Sequence, residues 1–474
     1  MKTVAELWGI KFPQIHYPHL RGERVVTDKK GGRRAFLGIS AFLAAVVIAA
    51  IVVPLALNSG TVSGHAIAVS QPGPWQLGAD RVPPYDNGID SWVVGDDLVL
   101  VNDTYAVAYA RSDGKERWRI PSPAGHFCGA STSVVDNHIA VGYGDLCSSA
   151  AVLDVNAGKL LWQRTMPITS SGSPSQAKLD EHAVLEIVGG SVVVVHYQQL
   201  LGLDAATGAV RWSEVTPPTD EKVYSNCIPS DGLPRSADFV LLSHCSAKDA
   251  GDSLYVAVAV DPATGKTKQH NEFVKSKSYL TMAWVSASPL VAYLNDASKG
   301  MYATLDDSLE PVSTVDAGDA LNGFMGDDGF GYSLSGASNG TSHRRSRALV
   351  TGTTMIALTS PQKPNRLAAF DLRTGAKRWE VPAPGGGIVA APLAVDNGQV
   401  IAVVSAGQDG PDQHIVKFSL DTGAVTPVRT VSLTGPGNRS LAPWFCRLFW
   451  ADGVVYGVRA IYTAQSTALV FRLG

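Results

Sequence analysis

The chain has 474 residues, 39 Lys/Arg against 42 Asp/Glu, and a formal net charge of −3; charged residues are only 17% of the total, below the ~25% of an average soluble protein. Apolar residues are an ordinary 45%, with 47 Gly and 27 Pro, so the chain is rich in turns yet has ample surface to bury. This excludes a disordered tail protein, a coiled coil and a disulfide-knot miniprotein, and a single long uncharged apolar run excludes a multi-span transporter.

That run is Ala35 to Leu57. At 1.5 Å per helical residue it can cross a hydrocarbon core of roughly 30 Å. Lys29, Lys30, Arg33 and Arg34 precede it, and such a cluster stays inside, so the N-terminus is expected to be cytoplasmic and the C-terminal bulk outside. Residues 1–34 carry 8 Lys/Arg and 3 Asp/Glu, a local charge of +5, which leaves −8 for the remainder. A nucleic-acid partner is not expected for that acidic part. The run is longer than the core of a cleavable signal peptide, so a signal anchor is the favoured reading over cleavage. Arg33-Arg34-Ala35-Phe36-Leu37 resembles the core of a twin-arginine signal, which makes export by that route the other alternative. No Cys lies near the end of the run, so a lipoprotein anchor is excluded. The expected organisation is an inner segment at 1–34, the anchor at 35–57, a linker at 58–64 and an exterior domain at 65–474.

The exterior part contains a repeat. An Asp four residues before a Gly and a Trp four after it recur as Asp154…Gly158…Trp162, Asp204…Gly208…Trp212 and Asp371…Gly375…Trp379. Partial copies are Gly114…Trp118, with Ala110 in the Asp place; Asp261…Gly265, with Gln269 in the Trp place; and Gly423, between Ser419 and Pro427. A degenerate copy at 302–309 fills the double gap between Gly265 and Gly375. Each Gly follows a short β-prone run such as Leu254 to Val260, where a hairpin turn calls for positive φ. Thr207, Thr264, Thr374 and Thr422 stand before it, and they and the Asp can hydrogen-bond the turn backbone. The Trp presents a large apolar plate to a neighbour. Intervals near 50 residues, each with room for two further strands, describe four-stranded blades closed by radial repetition.

These Asp-x-x-Thr-Gly-x-x-x-Trp units resemble the pyrroloquinoline-quinone-type (PQQ-like) β-propeller repeat family. The resemblance covers roughly 91–474. It implies an all-β propeller and leaves function open, because the family includes quinoprotein alcohol dehydrogenases and also the cofactor-free propeller of the outer-membrane protein assembly machinery. Counting strands gives eight blades, with seven as the alternative. The last blade, at Thr467 to Leu473, lacks an outgoing strand that the upstream stretch His65 to Leu77, with Trp75, can supply.

Five Cys occur. Cys128 and Cys147 are 19 apart and Cys227 and Cys245 are 18 apart, spacings that a hairpin brings within disulfide reach; two bridges suit an oxidising exterior. Cys446 has no such mate and reads as a buried thiol, or as an intermolecular bridge. In the dehydrogenases of the family an adjacent-Cys disulfide stacks on the quinone, and no two Cys are adjacent here. No catalytic residue, metal ligand or cofactor site is expected, and PQQ with calcium is the cofactor only of the alternative reading. Gly336-Ala337-Ser338-Asn339-Gly340 lies in a Gly/Ser-rich stretch without the helix that a nucleophile elbow needs. His182 and Glu186 flank a β-prone run, unlike a zincin helix. Asp96-Asp97 and Asp327-Asp328 read as turn residues. Gly323 to Ser342 exceeds the repeat spacing and runs into Arg344, Arg345 and Arg347, a possible partner loop for an acidic surface or anionic polymer.

The sequence therefore leads to a membrane-anchored, non-enzymatic binding scaffold whose partners are envelope proteins or cell-wall polymer. The alternatives are a degenerate PQQ-dependent dehydrogenase and a ligand-sensing ectodomain that contacts a cytoplasmic partner through Trp8, Phe12 and Tyr17.

Overall fold

Strongly β-prone runs with tight turns between them give, in the computed structural model, eight four-stranded antiparallel sheets. The structure describes residues 74–77, 82, 88–167, 183–196, 199–214, 224–247, 253–276, 281–295, 300–316, 348–360, 366–405, 412–432, 446–459 and 470–473. The expected anchor at 35–57 and the basic stretch at 343–347 lie outside these. Among the described residues no helix is long and apolar enough to cross a membrane; the helical pieces are short 3-10 turns, Asp145–Cys147 and Pro384–Gly386. The eight sheets all belong to one compact unit, Gln71–Gly474.

Seven sheets are consecutive in the chain and form blades 1 to 7, at 88–121, 127–165, 184–214, 224–276, 281–316, 349–382 and 388–432. Blade 8 takes three strands from 446–473 and its outermost from Trp75–Leu77, which pairs antiparallel with the last strand as Trp75↔Arg472, Gln76↔Phe471 and Leu77↔Val470. The eight-bladed count therefore holds. Inner strands of successive blades touch all the way round, blade 8 to blade 1 included.

Why the blades stand side by side is visible in their second strands. Leu98, Val99, Leu100 and Val101 are all buried, a continuous apolar run because both faces of the sheet are covered. Their alternation sends Val99 and Val101 into the core shared with Ile139 and Val141 of blade 2. Leu98 and Leu100 enter the core shared with Val454, Tyr456 and Val458 of blade 8. Phe239 with Leu241, and Val240 with Leu242, divide in the same way between the two neighbours of blade 4. Each such side chain contributes about 1.5–3 kcal/mol when fully buried, and no blade can bury both faces alone.

The antiparallel order also gives the ring two unlike faces. Connections from first to second and from third to fourth strands lie on one face. Connections from second to third strands, and from each blade to the next, lie on the other.

Candidate functional site

The turn residues act as a lock. In blade 3 the Asp204 carboxylate accepts hydrogen bonds at Oδ1 from the N–H groups of Ala206 (3.1 Å) and Thr207 (2.9 Å), while Gly208 N–H donates to the Asp204 carbonyl (2.8 Å). Asp154, Asp261 and Asp371 hold their turns through the same pair of backbone donors. Thr207, Thr264, Thr374 and Thr422 each accept at Oγ1 from the N–H two residues on. The six marked glycines have φ between +63° and +73°, the left-handed region that a side chain enters only at a cost.

These glycines serve a second purpose, because each blade's Trp lies flat on the turn of the next. A Cβ on Gly208 would stand 2.7 Å from Trp162 Cε3, and one on Gly265 would stand 2.6 Å from Trp212 Cδ2. Gly158 is covered in the same way by Trp118, and Gly423 by Trp379. Each indole N–H donates to the carbonyl just past the strand end: Trp118 to Val155 (3.1 Å), Trp162 to Ala205 (2.8 Å), Trp212 to Pro262 (3.0 Å) and Trp379 to Leu420 (2.8 Å). Trp75, on the strand that closes blade 8, does this to Gly114 and to the Arg111 carbonyl (3.0 Å).

Three junctions lack an indole; between blades 7 and 8 Pro427 stands in the Trp place, and Arg429 Nη2 donates to the Gly453 carbonyl (2.9 Å). Gln269 of blade 4 stands in the Trp place, and the facing turn of blade 5 carries Leu309 at φ +60° where others carry Gly. Leu309 is fully buried, and Asn271 Nδ2 donates to its carbonyl (3.0 Å). Between blades 5 and 6 the strand backbone itself covers Gly375, whose Cβ would meet the Thr314 carbonyl, and Ser313 Oγ donates to Leu372 O.

Nearer the axis the inner strands carry buried carboxylates that the sequence reading did not single out for this role. Glu186, fully buried in blade 3, accepts at Oε1 from Thr132 N–H (2.9 Å) and Thr132 Oγ1 (2.7 Å), and at Oε2 from Ser133 Oγ (3.3 Å). The Thr132 carbonyl takes the indole N–H of Trp92 (3.1 Å), so one residue of blade 2 ties blade 1 to blade 3. Asp231 of blade 4 accepts from the Trp284 N–H of blade 5 (2.8 Å). Asp90 of blade 1 pairs with Arg447 of blade 8, whose Nη2 also donates to Ile89 O (3.0 Å). The available signal was an acidic residue inside an apolar run, as in Val184-Leu185-Glu186-Ile187-Val188. All three carboxylates are engaged by inter-blade donors, which is the arrangement of a clasp.

Cys128 is joined to Cys147 with Cα atoms 5.7 Å apart, and Cys227 to Cys245 with Cα atoms 4.0 Å apart. The second bridge spans adjacent strands as a hairpin would. The first instead links the inner strand of blade 2 to the 3-10 turn that follows the second strand, with Gly142 leaving room for its sulfurs. Cys446 opens the inner strand of blade 8 opposite Arg459. Asp96 lies in the first turn of blade 1 and Asp97 opens the strand that follows it, while Asp327 and Asp328 lie outside the described residues. Among the described residues no group of three or more His, Cys, Asp or Glu is arranged to hold a metal ion. Arg344, Arg345, Arg347 and the Gly336–Gly340 motif lie outside the described residues.

Residues 58–224 match the family model described as outer membrane protein assembly factor BamB, and no curated protein matches the chain. Among solved structures the chain is similar to BamB from Moraxella catarrhalis, at 14% identity and TM-score 0.47 over 85% of this chain and 96% of that one. It is similar to the quinohemoprotein alcohol dehydrogenase ADHIIG from Pseudomonas putida HK5, at 13% identity and TM-score 0.48 over 84% and 75%. A europium-containing methanol dehydrogenase matches at 11% identity and TM-score 0.49 over 81% and 84%. The strand-end Asp, the left-handed Gly and the docked indole recur in an eight-bladed β-propeller, of which the stretch 58–224 is what matches that family model.

Proposed function

We propose that this chain is a non-enzymatic binding scaffold of the cell envelope, anchored through 35–57 with its ring outside, and that it takes a protein partner on the face of long connections. The observation that carries this reading is the unlikeness of the two faces. On one, first and second strands are joined by two-residue turns at 95–96, 189–190, 236–237, 288–289, 352–353, 397–398 and 452–453, and in blade 2 by the longer 131–137, beside the locked turns. The strands that end at the other are joined by much longer stretches of sequence, 166–183, 215–223, 317–348, 433–445 and 460–469. Long connections on a rigid scaffold are where binding residues concentrate. The family's own description, an assembly factor, supports a protein partner. Arg344, Arg345 and Arg347 give the 317–348 connection a basic foot suited to an acidic partner surface.

The test places a photo-crosslinking residue at Ala124, on the long-connection face, and another at Asp307, on the opposite face; both positions are exposed. Irradiation of native membranes is expected to yield protein adducts at 124 and none at 307. Equal adducts at both sites, or none at 124, would overturn the reading, as would saturable binding of PQQ with calcium accompanied by dye reduction.

A further inference from the structure

The junction of blades 8 and 1 is built differently from the others. In blades 1 to 7 the outermost strand continues from the third through a locked turn. In blade 8 the two come from opposite ends of the described chain and pair over three residues only. What replaces the missing covalent turn centres on Arg111. At the other indole locks the residue whose carbonyl receives the indole is apolar: Val155, Ala205, Pro262 and Leu420. Here it is an arginine, and it acts twice. Its carbonyl holds Trp75 (3.0 Å). Its guanidinium crosses to blade 8, where Nη2 meets Asp452 Oδ2 at 2.5 Å and the group lies 4.8 Å from the centre of the Tyr456 ring. Nη1 donates to Gly95 O of its own blade (2.6 Å). The Arg111 side chain is only 11% exposed while that of Asp452 is 80% exposed, so the ion pair is screened by solvent and the guanidinium is held also by the Tyr456 ring and the Gly95 carbonyl.

We propose that Arg111 is the key of a latch at this junction: it fixes the closing strand Trp75–Leu77 through its backbone and the facing blade through its side chain, so that losing its charge opens the ring here and nowhere else. The geometry separates this from simple packing. If an apolar side chain could do the work, as Leu420 does beneath Trp379, leucine would serve equally at 111.

Hydrogen exchange read by mass spectrometry on the full-length protein in detergent tests the point. Arg111→Leu is expected to speed exchange about tenfold in peptides covering 75–77 and 470–473, a local opening, while the blade 3 strand Ser191–His196 keeps its parental rate. Asp452→Asn, a mild change on an exposed turn, is expected to speed the same two peptides about two- to threefold. Parental protection in Arg111→Leu would overturn the proposal, as would a rise of equal size in blade 3. An unchanged 75–77 rate in Asp452→Asn would overturn it independently, even if Arg111→Leu failed to fold.

Discussion

The indole and the glycine beneath it are one unit divided between two blades, and the blade 4–blade 5 junction shows what happens when half is missing. With Gln269 in place of Trp, the facing turn carries Leu309, which fills the space from the other side. Gln269→Trp alone is therefore expected to destabilise by overpacking, and Leu309→Gly alone to cost about 2–5 kcal/mol through the cavity left behind. The double variant should recover much of both losses in denaturant melts; simple addition of the two would contradict the pairing. The strand-end carboxylates contribute a pH dependence. The Arg211 guanidinium (2.5 Å), with Thr207, holds the Asp204 carboxyl down at about 2. Since an unfolded Asp titrates near 3.9, this contribution is complete above pH ~4 and disappears as the pH falls through the folded value. Asp204→Asn is expected to flatten the melting temperature against pH between about 4 and 2. A profile parallel to that of the parent would show that the carboxylate does nothing there.

A blade's third and fourth strands were legible in the sequence because their turn carries rare residues at fixed spacing. Asp154, Gly158 and Trp162 announce both the strands and the direction of packing. The first strands were far less visible: their side chains face a neighbouring blade, so their pattern depends on contacts with distant sequence. That is why Glu186 could be read only as a non-zincin acid, when it is the carboxylate that Thr132 and Ser133 clasp. The disulfides show the same limit. Spacing alone brought Cys128 and Cys147 together, yet Cys147 proves to lie in a turn beyond the second strand. Closed loops of this length are worth roughly 3 kcal/mol in the chain-entropy account. Replacing Cys227 and Cys245 together by Ser is expected to lower stability by about 2–4 kcal/mol in urea melts, and an unchanged midpoint would mean that the bridge is idle.

As a whole the ring is eight shared cores rather than eight independent ones, each lying between a pair of blades. Stability is therefore collective. Asp90 is buried against Arg447 across the closing junction, and removing one member of a buried pair strands the other charge, at about 3–5 kcal/mol. Asp90→Ala is expected to shift one unfolding transition to lower temperature in calorimetry. A second, separate transition would show that the blades melt independently. That a propeller would form, and that it would need help from upstream to finish its last blade, could be foreseen from the count of turns. Which charges secure the closure could not, because Arg111, Asp452, Asp90 and Arg447 carry no spacing that links them.

The pairing of Trp75 with Arg472 has a practical corollary. Within the ring, the first and last strands lie close enough to be spliced: a short Asp-x-x-Thr-Gly segment from Leu473 to Trp75, in a chain freed of residues 1–74, would make the eighth sheet a hairpin meander like its seven companions. New termini cut at the exposed Ala124, between blades 1 and 2, would then yield a circularly permuted ring, begun at blade 2 and ended at blade 1, in which the founding break has healed and the position of the ends is a matter of choice.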